Sequence, residues 1–373
     1  MPLERLKRFF IEDALPAWAD MAFDAEHGHF VEALQLDGKP EQTGVVRTRT
    51  AARQIYVFSH ACFLGVAPTG SLEKAETAFS NLHNVTWMGG DSPGYTRAFN
   101  RFTDQITDPV RDLYDHACVL LALAWLSKAT GKHEYRTYID ATMDAMDRTL
   151  CAPNGGWAED NLGSLPRRQN PHMHVLEACL ALWETGGYPR SVEHAENLIT
   201  LFKERFLVSG MPPLREFFGP AWEVSPDYQS ERLEPGHMVE WVWLLRRYAK
   251  LTGSNEDLLC EQLLSTALAV SAESGNAFLV DEALLDGTAL KQTRRLWPQA
   301  ELLKAYLERH NATGIPRYLH QAEALEEAML SSYLADAPEG CWRDCFDLTG
   351  RFVAPTIPAS SLYHLWTAVA EVL

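Results

Sequence analysis

Apolar residues along the chain recur mainly at the i, i+3, i+4 and i+7 spacing that is typical of helices. Breaker segments such as Thr130-Gly131-Lys132 and Thr252-Gly253-Ser254 interrupt this spacing. The pattern predicts twelve helices, near residues 3–22, 45–65, 71–84, 109–129, 133–150, 168–186, 189–207, 234–252, 255–274, 292–311, 316–334 and 359–372. The even-numbered helices begin about sixty residues apart, which indicates six repeated helical hairpins.

Two kinds of helix can be distinguished by their polar positions. Residues 114–125 and 175–183 are apolar on nearly all sides, as expected of helices that other helices surround. Residues 134–150 carry a polar stripe, as expected of a helix with one face in solvent. Six hairpins can form an open superhelix or a closed barrel. We predict an all-α (α/α)6 barrel, as a single domain over residues 1–373, with the even-numbered helices inside and short β-segments near 28–30, 155–157 and 340–342.

Composition and charge limit the classes of partner. The formal net charge of −17 argues against nucleic acid and against an anionic membrane surface. The N-terminal segment lacks the uncharged apolar stretch of a signal peptide, and no apolar run of about eighteen residues is present. We therefore expect a cytoplasmic protein without a membrane span. Most of the seven cysteines lie in apolar helical runs, which indicates reduced thiols that pack as small hydrophobes.

Polar and ionisable side chains follow the predicted starts of the even-numbered helices. Four starts contain an X-Pro pair, and proline is well tolerated at the first helical position because its missing N–H would have had no acceptor there. These prolines are Pro109, Pro171, Pro235 and Pro298. Inner helices of an (α/α)6 barrel are parallel, so their N-terminal ends share one mouth. The side chains expected at this mouth are Arg53, Asp112, Tyr114, Asp115, His172, His174, His237, Glu240, Glu301 and His364.

The histidines in this set indicate proton transfer. A helix N-terminus and burial both disfavour imidazolium, whereas a nearby carboxylate favours it. We therefore expect histidines close to neutrality, which suit general acid–base catalysis at neutral pH. Glu240 follows His237 at i+3, on the same helix face, where it could orient or charge the imidazole. Thr50 and Asn170 are candidate N-caps.

Seven ordered stretches resemble the N-acylglucosamine 2-epimerase superfamily. They are RTRTAARQIYVFSHA (47–61), DLYDHACVLLALAW (112–125), RRQNPHMHVLEACLALWE (167–184), EPGHMVEWVWLL (234–245), RRLWPQAELLKAY (294–306), GCWRD (340–344) and SLYHLW (361–366). NPHMHVLEA, PGHMVEWVWLL and RLWPQAE are most similar to the D-mannose isomerase branch. The resemblance implies an (α/α)6 barrel that interconverts D-mannose and D-fructose, with lyxose and xylulose as a second pair.

The resemblance also implies roles for individual residues. His364 and His237 match the paired acid–base histidines, and His174 matches a third histidine that could open the pyranose ring. Arg53 matches the arginine near the oxygens on C1 and C2, and Glu240 matches the carboxylate that pairs with the second histidine. The residues expected to line the sugar pocket are Asn170, Tyr114, Trp297, Glu301, Trp342, Asp115 and His172. This chemistry requires no cofactor and no metal ion.

The connection 85–108 departs from the family pattern. MGGDSPGYTRAFN (88–100) stands where relatives carry a longer, Trp-containing segment over the mouth. Its shortness leaves substrate size and subunit contacts open, and a homodimer is compatible with the resemblance.

In the expected mechanism, His364 removes the C2 proton of the open-chain aldose. His237 acts as its acid–base partner at O1 or C2, and Arg53 stabilises the developing enediolate. Protonation of the cis-enediol at C1 gives the ketose. Return of the proton to C2 from the opposite face would instead give epimerisation. A 2-epimerase that acts on N-acylglucosamine or cellobiose therefore remains an alternative.

Three further interpretations remain open. A metal site could use His and Glu ligands on the helix faces, with His172, His174, His237, Glu240 and His364 as candidates. A glycoside hydrolase or lyase would need two carboxylates beside a glycosidic bond, with Asp112, Asp115, Glu240 and Glu301 as candidates. A non-catalytic sugar-binding module would not need three convergent histidines.

Overall fold

Helices alternate between an inner and an outer position along the chain. The computed structural model describes residues 3–208, 211–272 and 277–373, and twelve helices lie within these ranges besides a 3-10 turn at Pro226–Tyr228. The inner helices are α2 (Thr48–Phe63), α4 (Leu113–Thr130), α6 (Gln169–Gly186), α8 (Pro235–Thr252), α10 (Leu296–Thr313) and α12 (Ala359–Ala370). The outer helices are α1 (residues 4–21, with a π-helical segment Phe9–Ala14), α3 (Ser71–Thr86), α5 (Glu134–Thr149), α7 (Pro189–Leu201, continued by the π-helical segment Phe202–Phe206), α9 (Asp257–Ser271) and α11 (Pro316–Ser332).

The six inner helices form a closed ring. Each packs against the next along the chain, and α12 packs back against α2. The outer helices α3, α5, α7, α9 and α11 pack against the inner helix that precedes each of them. The predicted all-α (α/α)6 barrel with even-numbered helices inside is therefore confirmed.

Burial explains this sorting. In α4 every residue from Asp115 to Leu126 is buried, since helices contact it on all sides. In α5 the buried residues include Tyr135, Ile139, Met143 and Met146, which recur at the spacing of a single helix face.

Short antiparallel ladders surround the mouth at the N-terminal ends of the inner helices. Four inner helices follow directly on a strand and a fifth, α8, follows one after a single residue, and each of these strands pairs with another connection, as β9 does with β12. The strands are β1 Phe23–Asp24, β2 His29–Phe30, β3 Ala33–Leu34, β4 Val45–Arg47, β5 Trp87–Met88, β6 Gly94–Tyr95, β7 Ala98–Asn100, β8 Gln105–Asp108, β9 Arg167–Arg168, β10 Leu207–Val208, β11 Met211–Leu214, β12 Phe217–Phe218, β13 Arg232–Leu233, β14 Glu282–Leu284, β15 Ala289–Lys291, β16 Arg294–Arg295, β17 Cys345–Phe346 and β18 Ile357–Pro358. These ladders fix where each inner helix begins.

The prediction that proline marks the first helical position is correct only for Pro235. Pro171 and Pro298 stand at the third position, where proline is also tolerated because the first four N–H groups of a helix lack intrahelical acceptors. Pro109 lies before α4, whose start is set by Asp112, since its side chain accepts a hydrogen bond from the Tyr114 N–H. Asn170 lies inside α6 and is not its N-cap.

The connection 85–108 forms regular structure beside the mouth. Strands β5 and β6 pair with each other, and β7 and β8 complete a three-stranded sheet with β4, which leads into α2. In the described part of the chain, no helix has both the length and the apolar character needed to cross a membrane.

Candidate active site

A cavity of about 200 Å³ opens at the N-terminal ends of the inner helices. Eight of the side chains that the sequence singles out line this cavity, and all six inner helices contribute at least one of them. They are Arg53, Tyr114, Asn170, His174, His237, Glu240, Trp297 and His364. Residues that lie far apart in the chain therefore meet in one pocket.

Each of the three pocket histidines is held by a buried glutamate through its Nδ1 atom. The Nδ1 of His174 lies 3.0 Å from Glu177 Oε2. The other two pairs join His237 Nδ1 to Glu216 Oε2 at 2.9 Å and His364 Nδ1 to Glu301 Oε1 at 2.7 Å. An ionised carboxylate only accepts hydrogen bonds, so Nδ1 is the donor in such a pair. This arrangement leaves Nε2 of each ring for the pocket.

Further contacts fix the state of His174. Its Nε2 lies 3.2 Å from Arg53 Nη2 and 3.0 Å from the Tyr114 hydroxyl, which itself accepts a 2.7 Å hydrogen bond from Arg53 Nη2. Because a guanidinium can only donate, Nε2 of His174 must accept. His174 is therefore a neutral imidazole with its proton on Nδ1.

The charge states of the three pocket histidines differ. Burial and neighbouring positive charges lower the pKa of His364 well below its ordinary value, and burial also lowers the pKa of His174. Burial alone would lower the pKa of His237 too, but the carboxylates of Glu216 and Glu234 raise it to about 9. At neutral pH the pocket thus holds a neutral His364 and a protonated His237.

Glu240 does not hydrogen-bond to His237, contrary to the expectation from their i, i+3 spacing. The Nδ1 atom of His237 is occupied by Glu216, whereas Glu240 Oε1 lies 3.8 Å from His174 Nε2. Both carboxylate oxygens of Glu240 are buried and have no hydrogen-bond partner among the described residues, and the same is true of Asn170 Oδ1. Because unpaired buried acceptors are costly, these three oxygens are suited to accept hydroxyl groups of a ligand.

Two functional glutamates are missing from the sequence-based set. Glu177 could have been found, since it follows His174 at i+3 within NPHMHVLEA. Glu216 precedes β12 and is aligned with α6 by the pairing of β12 with β9 and by a hydrogen bond from the Gln169 side chain. No helical periodicity marks such a residue, so its role becomes visible only in the folded chain.

Two residues expected in the pocket lie elsewhere. The Nε2 of His172 accepts from the Trp157 N–H at 3.0 Å, and its Nδ1 donates to the Arg168 carbonyl at 2.9 Å. Burial and the charge of Arg167 lower the pKa of His172 to about 3. Asp115 is buried and accepts from the backbone N–H of Arg49 at 3.0 Å. Neither side chain lines the cavity: His172 satisfies backbone groups of Trp157 and Arg168, and Asp115 satisfies an N–H in the first turn of α2.

Glu301 and Trp342 do not line the cavity either. Glu301 is fully buried behind His364, so it positions that imidazole and does not contact a pocket ligand. Trp342 is fully buried and stacks on Trp18, with ring centres 4.9 Å apart. The GCWRD motif therefore anchors α1 to the barrel.

Carboxylate and imidazole side chains form three groups, and within each group the possible ligand atoms lie within 4.8 Å of one another. Each group could therefore geometrically hold a cation. Each group contains one pocket histidine together with the glutamate that holds its Nδ1. In these groups the glutamates orient the imidazole rings, and oriented imidazoles are suited to proton transfer.

Comparison with known proteins agrees with this geometry. The N-acylglucosamine 2-epimerase (GlcNAc 2-epimerase) family model matches residues 28–368. A mannose-6-phosphate isomerase from Rhizobium meliloti is 33% identical over 96% of this chain and 93% of its own length. A cellobiose 2-epimerase from Ruminococcus albus is 22% identical over 100% of this chain and 98% of its own.

The fold is also that of a solved relative. The crystal structure of a D-mannose isomerase superposes with a TM-score of 0.89 at 21% identity and covers 99% of this chain and 97% of that one. With its closed helical ring and histidine-lined mouth, the chain belongs to the N-acylglucosamine 2-epimerase family and is an enzyme of the sugar epimerase and isomerase superfamily.

Proposed function

We propose that this enzyme is an aldose–ketose isomerase that interconverts D-mannose and D-fructose. The proposal is supported mainly by two histidines beside Trp297, a neutral His364 and a protonated His237. The rings of His237 and His364 each lie 5.2 Å from the Trp297 ring. A neutral imidazole suits a base and an imidazolium suits an acid, so the pair can move two protons in one turnover.

Each proton has a donor and an acceptor in this reaction. His364 Nε2 takes the proton from C2 of the open-chain aldose, while His237 gives a proton to O1, and a cis-enediol results. His237 then takes the proton from O2 as His364 returns its proton to C1, which yields the ketose and restores both rings. Arg53 supplies a buried positive charge where the enediol oxygens gain negative charge.

The pocket fits a small, uncharged sugar. Its volume of about 200 Å³ lies below the roughly 300 Å³ at which pockets for drug-sized ligands begin, so a monosaccharide is favoured over a disaccharide. Arginines at the rim would be the natural ligands of a sugar phosphate. Arg47 pairs with Glu32, Arg49 with Asp115, and Arg295 with Asp281 and Glu234. Because each rim charge is already compensated, free mannose is favoured over mannose 6-phosphate.

A 2-epimerase is the second candidate. It would use the same two histidines, with His237 delivering a proton to C2 in place of O1, and a cellobiose 2-epimerase is among the relatives. A glycoside hydrolase is less well supported, because Asp115 and Glu301 do not line the cavity.

Incubation of the enzyme with D-mannose in deuterated water tests the proposal. We expect D-fructose that carries deuterium at C1 in those turnovers in which the proton on His364 exchanges with solvent before its return, faster turnover of mannose than of mannose 6-phosphate, and full activity after treatment with a chelator. Glucose without fructose would establish the epimerase instead. No turnover of any monosaccharide would refute both candidates, and loss of activity with the chelator would favour a metal mechanism.

Trp297 and Trp342 should respond differently to replacement by alanine. Trp342→Ala removes a fully buried stacked ring and is expected to lower the free energy of unfolding by about 3–5 kcal/mol while the KM for mannose stays unchanged. Trp297→Ala should lower kcat/KM instead, since it removes the wall between the histidines. Urea denaturation and steady-state kinetics of both variants check this. If Trp342→Ala were fully folded and had a raised KM for mannose, the structural role of Trp342 would be contradicted.

A further inference from the structure

A lysine lies fully buried inside the ring of inner helices, one turn farther from the mouth than Glu301. The Nζ of Lys304 on α10 is 2.7 Å from Glu301 Oε2 and 3.5 Å from the ring centre of Trp243. Its side chain has no solvent exposure. Lysine is almost never fully buried unless it is paired, because burial strips water from the ammonium group. The ion pair with Glu301 and the face of Trp243 compensate this loss.

Glu301 connects Lys304 to the pocket. One of its oxygens, Oε2, faces Lys304, and the other, Oε1, accepts from His364 Nδ1 at 2.7 Å. The three groups thus form a row that ends at the pocket-facing Nε2 of His364. As long as Glu301 is ionised it can only accept, so the His364 proton stays on Nδ1 and Nε2 carries a free electron pair.

Other charges around this row act in opposite directions. Burial raises the pKa of Glu301 well above its ordinary value, the charge of Lys304 lowers it, and the charge of Glu240 raises it further. Ligand atoms of Glu240, Glu301 and His364 lie within 4.8 Å of one another, so the two buried carboxylates attract a proton to this place. The titratable groups that face it from the packed inner helices are Arg53 on α2, His174 and Glu177 on α6, His237 and Glu240 on α8, Lys304 on α10 and Tyr363 on α12. Lys304 is the cation of this set that contacts Glu301 directly.

We propose that Lys304 is a positioning residue whose buried ammonium group keeps Glu301 ionised and His364 unprotonated at Nε2, ready to act as the base. The inference rests on the proposed function, in which His364 removes the C2 proton. Without the ammonium charge, the Glu301–His364 pair would take up one proton at a higher pH than in the wild type. That proton would either occupy Nε2 or neutralise Glu301.

Removal of the charge tests this role. In Lys304→Met the acid limb of the pH profile of kcat/KM for mannose should move upward by about one pH unit. At pH values on this limb, below its midpoint, activity should then be about tenfold lower than that of the wild type, and it should recover at higher pH, since one unit of pKa changes the unprotonated fraction there tenfold. Lys250→Met is the matched control, because Lys250 also pairs with a buried glutamate, Glu308, but is half exposed and lies outside the pocket. Its pH profile should stay that of the wild type.

Two outcomes overturn the proposal. One is a folded Lys304→Met or Lys304→Gln variant that loses thermal stability but keeps the wild-type acid limb, since Lys304 would then serve stability alone. The other comes from the imidazole ¹⁵N spectrum of the wild-type protein, with His364 assigned by comparison with His364→Asn. We expect an Nδ1–H tautomer with bare Nε2 at pH 7, and a protonated Nε2 would contradict the proposal. This spectrum needs no substrate, so it remains informative if mannose is not turned over.

Discussion

Replacement of His364 by asparagine is expected to lower kcat/KM for mannose by roughly a hundred- to ten-thousand-fold, the usual contribution of a positioned acid–base group. The variant loses the neutral Nε2 that faces the pocket, while the amide can still donate a hydrogen bond to Glu301. Binding should therefore be largely retained and kcat should fall. The exchange of the C2 proton with deuterated solvent, followed by NMR, measures the affected step directly.

The matched control is His172→Asn. His172 is also a buried histidine on an inner helix, but its hydrogen bonds go to the backbone groups of Trp157 and Arg168. This variant should lose thermal stability and keep the kcat of the wild type. A His364→Asn enzyme with near wild-type proton exchange would show that another group removes the proton.

The second large effect is expected from Glu216→Gln. The folded-state pKa of His237 is raised from its ordinary value of 6.5 to about 9, so the stabilisation from its charged form is present below pH 6.5 and is lost as the pH rises through about 9. Glutamine removes the Glu216 charge, the largest of those that raise the pKa of His237, and leaves the smaller effects of Glu234 and Glu240, so this pKa should fall. The basic limb of the kcat/KM profile then moves to lower pH. The loss of activity should reach roughly a hundredfold at pH 8 and be smaller at pH 6.

Glu223→Gln is a suitable control because Glu223 is an exposed residue of the same connection. Its pH profile should be that of the wild type. An equal loss in both variants, or an unshifted basic limb in Glu216→Gln, would mean that His237 does not act as an imidazolium.

Much of the barrel can be predicted from the sequence because its main signal is periodic. Stretches such as 175–183 are apolar on nearly all sides, and only an inner position in a ring of helices can bury such a surface. The convergence of Arg53, His174, His237 and His364 follows from the parallel orientation of the inner helices. Local spacing along one helix also reveals Glu177 beside His174.

Pairings that depend on the connections could not be predicted in this way. Glu240 has the right helical spacing from His237, yet the imidazole Nδ1 forms its hydrogen bond with Glu216, which the pairing of β12 with β9 brings close. The charge of His237 therefore depends on a carboxylate from a connection. Trp342 lies in a motif as prominent as the others, but its ring completes the contact with Trp18. A conspicuous aromatic residue in a motif does not show whether it faces a ligand or a neighbouring helix.

The closure of α12 against α2 links the chemistry to completion of the fold. Arg53 is on the second helix and His364 is on the twelfth, and each of the four inner helices between them adds at least one pocket side chain. In the proposed mechanism, an incomplete ring would separate His364, the base, from Arg53, the guanidinium that stabilises the enediolate. In that mechanism turnover requires a fully assembled barrel, so a half-folded chain would neither convert the sugar nor release a reactive enediol.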